Sequence, residues 1–98
     1  MQIRQGDVLL EKIEKMPENL TEKNNVLAYG EMTGHSHRFE SNGAKVFQAK
    51  NGQQYCQLEK PCELVHEEHK IVTIPAGVWR VINAREYDVV DGIRQVMD

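Results

Sequence analysis

Cysteine is scarce in this 98-residue chain: Cys56 and Cys62 are too few for a disulfide framework, and without an export signal both are expected to be reduced. No apolar run approaches the roughly 20 residues a membrane-spanning helix needs. The opening Met1-Gln2-Ile3-Arg4-Gln5-Gly6-Asp7 lacks the charged and apolar regions of a secretory signal. Twelve Lys and Arg stand against 15 Asp and Glu, for a net charge of −3, with the signs interspersed. No basic patch marks a nucleic-acid footprint. A glycine-rich phosphate loop and a nucleophile elbow are both missing. Helical periodicity is also missing before the tail at residues 87–98. These absences leave a small acidic domain over 1–98, expected to be cytoplasmic, without nucleic-acid or membrane partners, and with homodimerisation left open.

Turn residues come at close intervals, and the apolar runs between them are short. Residues 7–13 read as a first strand and 26–29 as a second, with the polar stretch 17–25 as one long loop between them. Asn42-Gly43 and Asn51-Gly52 are strong hairpin signals, because a type I′ turn needs φ > 0 at both central residues. They predict a three-stranded meander over about 35–41, 44–50 and 53–58. In that register Glu40 faces Lys45, Phe39 faces Val46, His37 faces Gln48, Gln48 faces Tyr55 and Phe47 faces Cys56. One face then carries His35, His37, Phe39, Val46, Gln48 and Tyr55, and the other Arg38, Glu40, Lys45, Phe47, Ala49, Cys56 and Leu58. Neither is cleanly apolar. The expected fold is all-β, a small barrel or compact sandwich built from antiparallel hairpins.

All four histidines occur in two pairs, His35-Ser36-His37 and His66-Glu67-Glu68-His69. Imidazole is the commonest metal-ligating side chain, and divalent first-row ions are held by nitrogens from separate segments. Two residues apart on a strand, His35 and His37 share a face at roughly 6–7 Å between Cα atoms. The second pair has three readings. On one continuous strand the rings point to opposite faces; on a helix they share a face. Across a tight Glu67-Glu68 turn they are cross-strand neighbours. The zinc-protease helix motif is excluded, since it needs two residues between Glu and the second His, and position 70 is Lys. Tyr55 and Gln48, beside His37 in the expected register, are candidates to orient its ring, though packing explains Tyr55 equally well. Cys56 and Trp79 are expected core residues. Candidate acids and bases stop at Glu67, Glu68 and Tyr55; no catalytic residue is assigned.

The segment Ile71-Val72-Thr73-Ile74-Pro75-Ala76-Gly77-Val78-Trp79-Arg80-Val81-Ile82-Asn83 resembles the second motif of the cupin superfamily, where a strand ends in Pro-x-Gly and a histidine follows three residues later. Gly30 to Glu40, with His35-x-His37, resembles the first motif. The resemblance implies a metal-binding barrel and leaves its reaction open, because cupins include enzymes and non-enzymatic sensors. Arg80 stands where the motif has a metal histidine, so the implied ligand set is altered: His35 and His37 with His66 or His69. A guanidinium cannot ligate a cation but suits a carboxylate or phosphate, which makes Arg80 a candidate for holding a small anionic ligand; pairing with a surface acid is the alternative. The motif's Glu arrives one residue early, at Glu40. Separately, Gln5 to Glu14 followed by Val26 to Glu31 is similar to the start of a small co-chaperonin, which implies a metal-free interaction module. The leading expectation is a divalent transition metal (Zn, Fe, Ni or Mn) on clustered histidines, with an interaction or regulatory module as the alternative.

Overall fold

Short alternating runs broken by turn residues give ten strands and no helix among the residues that the computed structural model describes, 1–30 and 34–83. The expectation for 87–98 lies outside them. The strands are β1 (Gln2–Gln5), β2 (Val8–Ile13), β3 (Thr21–Lys23), β4 (Val26–Tyr29), β5 (Ser36–Phe39), β6 (Ala44–Gln48), β7 (Gln54–Leu58), β8 (Cys62–His66), β9 (His69–Ile74) and β10 (Gly77–Asn83). They form one six-stranded sheet, β1-β2-β10-β7-β6-β3, and one four-stranded sheet, β4-β5-β8-β9. All their pairings are antiparallel.

The protein is thus all-β, a two-sheet sandwich rather than a closed barrel. Its core draws alternate residues from both layers: Val8, Leu10, Val46, Cys56, Leu58, Trp79 and Val81 from one sheet, and Leu27, Phe39, Cys62, Leu64 and Ile74 from the other. Trp79 is fully buried, and its indole N–H donates to Pro75 O at 3.0 Å. No helix among the described residues is long and apolar enough to cross a membrane.

Two expected elements prove incomplete. The first strand is a hairpin, β1 and β2 joined by Gly6-Asp7, where Gly6 takes the positive φ of 57° that a type II′ turn needs at its first central residue. The expected long loop contains β3, which pairs with β6.

The meander register is overturned at both turns. Asn42-Gly43 makes no hairpin, and Gly43 is not among the positive-φ glycines. β5 pairs instead with β4 and β8 in the other sheet, so 39–44 carries the chain between layers. Crossing over lets Phe39 and Val46 bury from opposite layers of one core, whereas one sheet alone would leave their shared face without a covering layer. Glu40 consequently bonds Arg38 (Nε to Oε2, 3.0 Å) rather than Lys45.

Asn51-Gly52 does turn a hairpin, but through a three-residue loop. Gly52 N–H donates to Ala49 O at 2.9 Å, Ala49 N–H donates to Gln53 O at 2.9 Å, and Gly52 has φ 91°. That arrangement is a type I turn followed by a left-handed glycine. The ladder slips by one residue to Val46↔Cys56, Phe47↔Tyr55 and Gln48↔Gln54. A slip of one flips every side chain of β7. Cys56 and Leu58 therefore join Ala44 and Val46 on a wholly apolar inner face, while Tyr55 leaves the face of His37 for the outside.

Candidate metal centre

The inward-facing positions of β5 and β8 read apolar until one end of the sandwich, where they turn to imidazole. Phe39 and then His37 face inward on β5; Cys62, Leu64 and then His66 do so on β8, all buried. The ladder Phe39↔Leu64, Arg38↔Val65, carried one step further, sets His37 level with His66, and their ring centroids lie 4.3 Å apart. Glu67-Glu68 forms the tight turn that makes His66 and His69 direct cross-strand partners, with centroids 4.6 Å apart. His69 closes the triangle at 5.4 Å from His37. One ligand-capable atom from each of His37, His66 and His69 lies within 4.8 Å of the others.

His35 stands at the edge of this group. It precedes β5, its carbonyl accepts from Gly30 N–H at 2.8 Å, and its ring lies 5.8 Å from that of His66. Its Nδ1 is 3.8 Å from a Glu68 carboxylate oxygen. All four histidines, together with Asp7 and Glu68, line one open cleft of about 310 Å³. Tyr29, which is exposed, and half-buried Asn83 line it too.

Turn and strand are clamped together by Glu67. Its Oε1 accepts from Ser36 N–H at 3.0 Å and its Oε2 meets Arg38 Nη1 at 2.7 Å. The Ser36 amide is the main reason its carboxyl titrates well below the usual range, at about 2, with Arg38 adding to the effect. This ties the loop between His66 and His69 to the strand carrying His37.

The remaining polar partners come from β1. Buried Gln5 donates from Nε2 to Leu64 O at 2.8 Å and to Lys70 O at 2.9 Å, while its Oε1 lies 2.8 Å from His37 Nδ1. The next residue, Gly6, presses its backbone on the cluster: a Cβ there would lie 2.6 Å from His69 Nε2. On His66, Nδ1 accepts the Glu68 backbone N–H at 3.0 Å, so a neutral His66 ring carries its proton on Nε2. His66 offers that nitrogen to an ion only once the Glu68 bond is exchanged.

Burial, then the neighbouring His66 and His69, pushes the His37 imidazole down from 6.5 to about 4, and burial lowers His66 as well. The folded state therefore holds His37 neutral across a range where the unfolded chain takes up a proton. Stability linked to it is intact above pH 6.5 and falls as pH drops from 6.5 towards 4. The metal-free protein should lose melting temperature across that window. A melting temperature that stays flat between pH 7 and 4 would contradict a buried neutral His37.

The other sequence-derived candidates lie elsewhere. Arg80 sits between Glu11 and Tyr55 in the six-stranded sheet, opposite in direction to buried Trp79 and Val81, and its Nη2 bonds Glu11 Oε1 at 2.6 Å. It pairs with a surface acid and is not part of the cleft lining. Tyr55 lies across from Phe47 and Arg80, and Gln48 reaches Gly52 O at 3.4 Å; neither is beside His37. Both assignments depended on the overturned register. Gln5, Gly6 and Asp7 went unseen, although the Gly-Asp step between two short alternating runs is the local signal of the turn that places them.

The stretch that builds the cleft falls inside residues 4–84, which match the family described as a domain of unknown function, DUF8820. The chain belongs to that family. No curated protein and no solved structure matches it.

Proposed function

We propose that this domain binds one divalent transition metal through His37, His66 and His69. The observation that carries this reading is the meeting of three histidines from three strands, with one ring nitrogen of each within 4.8 Å of the others. Two of them are buried where an isolated charge or unpaired polar group is costly. A structural zinc site closes its shell with four protein ligands, whereas a working site keeps a position open. Three nitrogens beside an open cleft suit the second kind, with His35, Asp7 or Glu68 near a small molecule bound there.

An anionic ligand would be drawn by the metal rather than by Arg80, since no Lys or Arg is among the described lining residues. Kinship to cupins forms part of this reading, supported by the Pro75-Ala76-Gly77 turn between β9 and β10. Cytoplasmic residence is supported by the two free, buried cysteines. Zn, Fe, Ni and Mn are the candidate ions.

Elemental analysis of protein purified without a histidine tag should find about one metal per chain, or added Zn²⁺, Ni²⁺, Mn²⁺ or Fe²⁺ should raise the melting temperature by mass action. Protein that carries no metal and is stabilised by none of the four ions would sink the reading and favour a metal-free interaction module.

A further inference from the structure

We propose that Gln5 is a positioning residue that sets the tautomer of His37, leaving the free lone pair on Nε2. Its importance for metal uptake rests on the metal-centre reading above; the tautomer assignment does not.

The inference starts from the amide. Gln5 is 3 % exposed, and its two ends face different chemistry. One end lies 2.8 and 2.9 Å from the carbonyl oxygens of Leu64 and Lys70, which only accept hydrogen bonds. The NH₂ group must occupy that end. Reversing the amide would set its oxygen against two carbonyl oxygens and forfeit both hydrogen bonds. Both amide hydrogens are then spent, and Oε1 is the atom 2.8 Å from His37 Nδ1. An oxygen without hydrogen can only accept, so His37 Nδ1 carries the proton.

A neutral imidazole protonated at Nδ1 is bare at Nε2. His37 is thus ready to ligate without moving a proton, unlike His66, whose Nδ1 is held as an acceptor by Glu68 N–H. A ligating histidine whose other nitrogen donates to a fixed oxygen is oriented and made more basic, and loss of such a partner costs about 10–100-fold in metal affinity. Gln5 lies 32 residues from His37 in sequence. It reaches the ring because β1, at one edge of the six-stranded sheet, abuts β9, at one edge of the other.

Long-range ¹H–¹⁵N correlation spectra of the metal-free, ¹⁵N-labelled chain report which ring nitrogen of His37 bears the proton, and Zn²⁺ competition titration reports affinity. Wild-type protein should show Nδ1–H. Gln5→Met fills the same space without an acceptor; it should lose the pure Nδ1–H signature and about 10–100-fold in Zn²⁺ affinity. Gln5→Glu retains an acceptor oxygen but gives up amide donors. It should cost as much melting temperature as Gln5→Met or more, yet keep both tautomer and affinity. If Gln5→Met does not fold, the wild-type spectrum and Gln5→Glu still decide.

An Nε2–H signature in wild-type His37 overturns the proposal. So does an unchanged tautomer in Gln5→Met, or an affinity that follows melting temperature alone across the two variants. A wild-type protein that shows Nδ1–H, loses it in Gln5→Met and takes up no Zn²⁺ upholds the role of Gln5 while removing the metal reading.

Discussion

His37→Ala is expected to strip the metal from the protein. His37 has its ring centroid 4.3 Å from that of His66 and 5.4 Å from that of His69, and it comes from a different hairpin. Without it the two remaining imidazoles belong to one tight turn and hold an ion from one side only. The loss should exceed the about 10–100-fold that accompanies removal of an outer partner. Stability should fall too, since Gln5 Oε1 loses its partner at a cost of about 1–3 kcal/mol. Against that, the variant lacks the buried base pushed down to about 4, so its melting temperature should vary less with pH between 6.5 and 4. Arg80→Ala is the control: it breaks the 2.6 Å pair with Glu11 and should leave metal content unchanged. Elemental analysis and Zn²⁺ titration of the two variants decide the matter. Metal retained in His37→Ala and lost in Arg80→Ala would reverse the assignment of the site.

Gly6→Ala should act nearly as strongly, through space instead of chemistry. At φ 57° any L-residue is strained, by roughly 1–2 kcal/mol. The added methyl would also stand 2.6 Å from His69 Nε2, 2.9 Å from His69 Cε1 and 3.2 Å from His37 Cε1. His69 must swing away to admit it, and with it goes the third ligand. A matched control separates strain from collision. Gly52 has φ 91°, but a Cβ there would meet nothing within 4 Å. Gly52→Ala should therefore lower the melting temperature by a similar amount and leave Zn²⁺ binding intact. Equal Zn²⁺ affinities for Gly6→Ala and Gly52→Ala would show that Gly6 does not shape the cluster.

Much of what depends on near neighbours was legible in the chain, though not the Gly6-Asp7 turn between β1 and β2. Alternating runs bounded by turn residues mark Val26–Tyr29 as a strand and place most of β6 and β7, because strand period and turn chemistry act over a few residues. The pairing of His66 with His69 is local too, but the sequence left three readings open, and the structure takes the tight Glu67-Glu68 turn among them. Partner choice and register are different matters. An Asn-Gly step favours a bend without fixing how many residues the loop holds, and at Gly52 one extra loop residue exchanged the inner and outer faces of β7. At Gly43 the same dipeptide turned no hairpin, because burying β5 and β6 from opposite layers covers more apolar surface than pairing them.

The histidine cluster joins both kinds of information. The tight Glu67-Glu68 turn sets His66 beside His69; only the docking of β5 on β8 adds His37, and only the meeting of two sheet edges adds Gln5 and Gly6. Contacts 32 to 65 residues apart in sequence leave no local mark. They form when the two apolar layers close on each other, and that closure sets the pocket's polar partners.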